Sequence, residues 1–209
     1  MVLGRWPIAV FCISAAASML LSQGREKRVT PLPASQTQVF GGYAQLGGVA
    51  ILVGVGKYPS FSGFGELRYP ERDVDVLDKE LTAQHYQVVP LTDGNATKES
   101  ILNAIASAGE VIDPNRSTIV FFFSGHGYAL GLENMLATSD ASVAKLARTG
   151  LSLRAVEQAL IETKAQRRML WIDACRNQPG KGGVGDARTF TKFQAASGTR
   201  VLFRRSLAE

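Results

Sequence analysis

Residues 117–127 read Ser-Thr-Ile-Val-Phe-Phe-Phe-Ser-Gly-His-Gly, and residues 167–177 read Arg-Arg-Met-Leu-Trp-Ile-Asp-Ala-Cys-Arg-Asn. Thr118 to Phe123 is an unbroken β-branched and aromatic run, the pattern of a strand buried on both faces. Met169 to Ile172 is a second such run, shorter but equally apolar. Between them, Ser152 to Lys164 carries Leu153, Val156, Leu160 and Ile161 at helical spacing. Strand, helix, strand predicts two parallel neighbours joined by a helical crossover.

The same alternation extends towards the N-terminus. Val49 to Val55 predicts a buried strand, and Pro70 to Tyr86 a helix. Pro70, Glu71 and Asp73 suit that helix's first turn, and Val74, Leu77 and Leu81 form its apolar stripe. Gln87 to Leu91 predicts a short strand ended by Asp93-Gly94, and Thr97 to Ile112 a helix turning Ile101, Leu102 and Ile105 inward. A hairpin is expected near Tyr128–Ala137. Beyond Cys175 come a Gly-rich loop, Arg176 to Arg188, and a last strand near Thr189–Ala196. The expected fold class is α/β, a mostly parallel sheet with helices on both faces. In such sheets ligands bind outside the carboxyl ends of the strands.

Composition is consistent with a globular chain of this kind. Of 209 residues, 45% are hydrophobic and 20% charged, too apolar for a disordered protein. The net charge of +5 is mild and scattered, so nucleic acid is not expected as a partner. With two Cys and two His there is little material for a zinc site. Residues 1–24 have the form of a secretory signal peptide: Arg5, an apolar run from Ile8 to Leu21, then Ser22-Gln23-Gly24. That run is shorter than the roughly 20 residues of a membrane span. The mature protein is therefore expected to be exported, periplasmic or secreted, without stable membrane insertion. Residues 25–46, with Arg25-Glu26-Lys27-Arg28, Pro31 and Pro33, read as a linker.

Two strands thus end in reactive residues, one in Ser124-Gly125-His126-Gly127 and the other in Asp173-Ala174-Cys175-Arg176-Asn177. If the strands are neighbours, His126 and Cys175 meet at one sheet edge. A thiol becomes a useful nucleophile beside an imidazole that takes its proton and returns one to the leaving group. Other motifs are weaker. Gly54-Val55-Gly56-Lys57 lacks both the first Gly and the Ser or Thr after Lys57 of a phosphate loop. His85 reads as an ordinary helix-end cation. No Gly-x-Ser-x-Gly elbow is present in the sequence.

The two motifs together resemble the caspase-like cysteine peptidases (peptidase C14), most closely the metacaspase and bacterial orthocaspase branch. Leu67, Arg72-Asp73-Val74 and Leu77 resemble that family's first helix, and Met135-Leu136-Ala137 with Asp140 its segment after the His. The resemblance spans Gly47 to Thr199 and implies a caspase-like three-layer sandwich over 47–199 with an irregular tail over 200–209. It implies Cys175 as nucleophile, His126 as acid/base, and the N–H groups of Gly127 and Cys175 as the oxyanion hole. Caspases carry Gln at the position of Asp173 and cut after Asp; metacaspases carry Asp and cut after Arg or Lys. Asp173, two residues before Cys175, falls on the same strand face and would attract a cation. Asp73 matches a second acidic position of that pocket. Lys181 and Arg188 in the Gly-rich loop become self-cleavage candidates. Calcium activates members of this branch, although no compact acidic loop places a site here. The family's second, smaller part follows that loop, and here it is expected to be truncated. The expected partners are protein or peptide substrates with basic residues. The rival reading is a non-enzymatic caspase-like module that binds a regulatory partner through the same cleft.

Overall fold

The computed structural model describes residues 47–175 and 193–203, which lie in one compact unit, Ala44–Glu209. Five parallel strands form the main sheet: β1 (Gly48–Gly54), β2 (Tyr86–Thr92), β3 (Thr118–Leu130), β6 (Arg167–Cys175) and β7 (Thr199–Phe203). Their spatial order is β2-β1-β3-β6-β7. The first part of β3 belongs to this sheet. Its end, Gly127–Leu130, pairs antiparallel with β4 (Glu133–Leu136), which pairs in turn with β5 (Leu151–Ser152). The helices are α1 (Pro70–Ala83), α2 (Lys98–Val111), the one-turn α3 (Leu146–Thr149) and α4 (Leu153–Glu162).

Strand alternation divides the core into two layers. On one face α1 packs Val74, Leu77 and Leu81 against Ala50, Leu52, Val120 and Phe122. On the other, Ile101 and Ile105 of α2 with Val156 and Leu160 of α4 cover Ile51, Val53, Phe121, Phe123 and Leu170. The result is a helix–sheet–helix sandwich, as the alternation predicts. The helix starts follow from their caps: Thr97 and Ser152 accept the N–H groups of Ser100 and Ala155. Gly54, at the carboxyl end of β1, lets α1 approach closely, since a Cβ there would stand 2.6 Å from the Pro70 carbonyl oxygen.

Several boundaries differ from expectation: β3 and β6 run on through the two motifs to Leu130 and Cys175, and two further ends are displaced. The first helix stops at Ala83, not at Tyr86. After its last inward residue, Leu81, the chain turns through His85 at φ 62°, so that Tyr86 opens β2 and packs on the α1-side core. The last strand is Thr199–Phe203, not Thr189–Ala196, so residues 200–203 of the expected irregular tail are strand. Residues 193–196 carry no regular structure, and 189–192 lie outside the described residues. Phe193, read as a strand residue, packs against the α2/α4-side core beneath the Arg154 guanidinium. The Ala196 N–H donates to the buried Glu157 carboxylate of α4 at 2.7 Å. β7 then takes up the register that sets Val201 and Phe203 opposite Leu170 and Ile172.

Core and surface aromatics should respond differently to truncation. Phe121 is fully buried, while Phe61 is 79% exposed. Phe121→Ala is expected to cost about 3–5 kcal/mol in urea-induced unfolding, and Phe61→Ala no more than about 0.5 kcal/mol.

Candidate active site

The parallel pairing of β3 with β6 runs in register from Thr118 opposite Arg167 to His126 opposite Cys175. The two strands are therefore direct neighbours, and the residues that end them are partners in the sheet. Gly127 follows at the point where β3 leaves β6 and takes Leu136 of β4 as its partner. Two residues before the His126–Cys175 pair, Ser124 lies opposite both Asp173 and, on its other side, Gly54. The Ser124 hydroxyl donates to Asp73 Oδ2 at 2.9 Å, bringing the first turn of α1 onto the same strand ends. Asp73, Ser124 and Asp173 thus converge next to the His126–Cys175 pair. Lys181 and Arg188 lie outside the described residues.

His126 is held on several sides. It is 2% exposed, and its Nε2 lies 2.8 Å from the Gly65 carbonyl oxygen. A carbonyl only accepts, so Nε2 carries the proton and donates, and Nδ1 carries the lone pair. Among the described residues Nδ1 has no hydrogen-bond partner. The imidazole stacks on Phe64 with centroids 5.7 Å apart and 22° between planes, and Tyr58 and Tyr128 stand at 5.3 and 6.3 Å. Burial in this aromatic box pushes the His126 pKa below its ordinary value of 6.5, against a smaller upward pull from the Gly65 carbonyl. Burial likewise raises the Tyr128 phenol, which stays neutral.

Tyr58 also fixes the backbone. Its hydroxyl accepts the His126 N–H at 3.3 Å and donates to the Ala137 carbonyl at 3.1 Å, tying β3 to the end of β4. The hydroxyl reaches this point because position 125 is Gly: a Cβ there would lie 2.8 Å from the Phe123 ring and 3.2 Å from Tyr58 Oη.

Sequence reading missed Tyr58, Phe64, Gly65 and Tyr128. A signal was present: Tyr58-Pro59-Ser60-Phe61-Ser62-Gly63-Phe64-Gly65 is an aromatic and glycine-bearing loop directly after a strand's carboxyl end. Lys57, considered above for a phosphate loop, pairs instead with Asp93 at 3.1 Å and Glu71 at 3.6 Å. Among the described residues no three His, Cys, Asp or Glu side chains gather into a set that could hold a metal ion. Nor is any helix among the described residues long and apolar enough to cross a membrane. The expected signal peptide and linker, 1–46, lie outside the described residues.

Comparison with known proteins bears on the fold and the family. Protein GSU0716 from Geobacter sulfurreducens matches with a TM-score of 0.50 and 18% identity, over 61% of this chain and 50% of that one. The structure of pro-sf-caspase-1 matches with a TM-score of 0.50 and 18% identity, over 75% of this chain and 59% of that one. The chain therefore spans half to about three-fifths of the length of these structures, and at such identity the likeness is one of fold. No curated protein sequence matches. The family model for the caspase domain, peptidase C14, matches residues 47–202. That range takes in both reactive strand ends and β7 almost to its last residue: the chain belongs to the caspase-domain family of cysteine peptidases.

Proposed function

We propose that this chain is a cysteine endopeptidase of the metacaspase and orthocaspase branch, cutting peptide bonds after Arg or Lys through a Cys175–His126 dyad. The observation that carries the reading is the state and place of His126: Nε2–H engaged by Gly65, Nδ1 bearing a lone pair without a hydrogen-bond partner among the described residues, and a backbone that is in register with Cys175 of the neighbouring strand. In the reaction, the neutral imidazole takes the Cys175 proton as Sγ attacks the peptide carbonyl carbon. The N–H groups of Gly127 and Cys175 receive the developing oxyanion. His126 then gives its proton to the departing amine, leaving a thioester on Cys175. A water, deprotonated by His126, attacks the thioester and releases the acid product and the thiol. The Gly65 carbonyl favours the transient imidazolium, while burial keeps the resting ring neutral.

Basic specificity is supported by the convergence of Asp73 and Asp173 on Ser124. A guanidinium or ammonium entering beside Cys175 meets negative charge there; an acidic side chain is repelled. Export by the N-terminal segment belongs to the same proposal. The partner-binding alternative shares this cleft, and loss of hydrolysis on removal of one atom, the thiol sulfur, separates the two.

Cys175→Ala is expected to abolish hydrolysis of Arg- and Lys-containing peptides and also any cut after Lys181 or Arg188, read by intact-mass analysis over time. Hydrolysis that persists at the parent rate in the purified variant contradicts the dyad. Asp173→Asn is expected to lower kcat/KM for Arg substrates by 10-fold or more, because a neutral amide replaces a charge-assisted partner. A parent protein that cleaves equally well after Asp and after Arg would sink the specificity assignment. The active base is neutral, so activity should fall only as pH drops below 6.5, towards the lowered His126 pKa, and be level from pH 7. Stability should change with the same sign: across that window the unfolded chain binds a proton that the folded chain does not, so stability rises with pH. A pH–rate profile whose acid limb lies above 7 would refute this.

A further inference from the structure

The loop between β1 and α1 supplies both the Gly65 carbonyl and Tyr58, and it is closed at its neck by one side chain. Asp93, just after β2, accepts the N–H groups of Gly56 and Lys57 on Oδ1, both at 2.9 Å. Its Oδ2 pairs with Lys57 Nζ at 3.1 Å, and Glu71 of α1 meets the same ammonium at 3.6 Å. The Gly56 carbonyl then accepts the Leu67 N–H at 2.8 Å, which closes the loop two residues beyond Gly65. A short path therefore runs from Asp93 to Gly56, across to Leu67, and back to the carbonyl that holds His126 Nε2. A second path runs from Asp93 to Lys57 and its neighbour Tyr58, whose hydroxyl holds the His126 N–H.

We propose that Asp93 is a positioning residue for His126, acting through the loop 55–69 to fix the imidazole as its Nε2–H tautomer. The proposal rests on His126 being the base of the reaction above, but it concerns the ring's geometry and can be read without turnover. Asp93 suits the task locally. Its backbone sits at φ 44°, in the left-handed region that Asp and Asn tolerate better than most residues, so the carboxylate is aimed by a fixed turn. Burial alone would raise its carboxyl pKa. The Lys57 and Gly56 N–H groups and the Lys57 ammonium outweigh that and hold it below the ordinary value of 3.8, so the clamp stays ionised throughout the neutral range.

The test uses the full-length Cys175→Ala chain, which keeps peptidase activity out of the sample. The sequence contains two histidines, His85 and His126, so imidazole nitrogen NMR gives two ring systems, and the exposed His85 is an internal control. At pH 8 the Asp93-intact chain is expected to show His126 as a single Nε2–H tautomer. Asp93→Gly removes the carboxylate while keeping a residue that accepts positive φ. It should turn the His126 signals into a tautomer mixture and leave those of His85 unchanged. Asp93→Asn keeps an oxygen that accepts both N–H groups and should restore the single tautomer. In the active chain, Asp93→Gly should lower kcat by about 10- to 100-fold with KM within about twofold, as a displaced base does. A folded Asp93→Gly chain that keeps the single Nε2–H tautomer overturns the proposal. So does an Asp93→Asn chain that behaves like Asp93→Gly.

Discussion

The parallel, in-register pairing of β3 with β6 is the constraint on which the rest depends. A slip of β3 by one residue would turn Phe121 and Phe123 from the α2/α4 face to the α1 face and reverse every apolar assignment in that strand. It would also part His126 from Cys175 and Ser124 from Asp173. The register that packs the core is thus the register that assembles the site. The same strand faces that bury Phe122 and Trp171 on α1 carry Ser124 and Asp173 beyond the end of the core, where α1 contributes Asp73.

β3 serves two sheets in succession. Up to His126 its partner is β6, and from Gly127 its partner is β4. A strand that changes partners leaves backbone groups to be satisfied at the junction, and Tyr58 does this by bridging His126 N–H and Ala137 O. The aromatic box around His126 has a chemical consequence as well as a packing one. It removes water from the ring and thereby disfavours the imidazolium, while one carbonyl fixes the tautomer. A buried, neutral imidazole of defined tautomer is what a general base at neutral pH requires.

Much of this was legible in the sequence, for identifiable reasons. Strands buried on both faces give unbroken apolar runs, so β1, β3 and β6 stood out, and inward residues at helical spacing marked α2 and α4. The reactive strand ends were legible because each joined a short motif to a strong strand. What was hidden rests on contacts between distant positions. Tyr58 and His126 are 68 residues apart, and Asp93 and Gly56 are 37 apart; no local pattern announces either. β7 was misplaced because Phe193 looks like a strand residue, whereas its role is set by Arg154 and the α2/α4-side core, and Val201 and Phe203 gain their place only from β6.

The central claim is that His126 and Cys175 act together on a basic substrate. It is tested most directly by covalent labelling with an arginine-terminated peptide carrying a thiol-reactive ketone, with the modified residue located by peptide mass mapping. The account predicts stoichiometric modification of Cys175 in the parent chain and at least a 100-fold slower reaction in His126→Ala, as expected on losing the base. Equal labelling of the two chains, or modification at a residue other than Cys175, would contradict it.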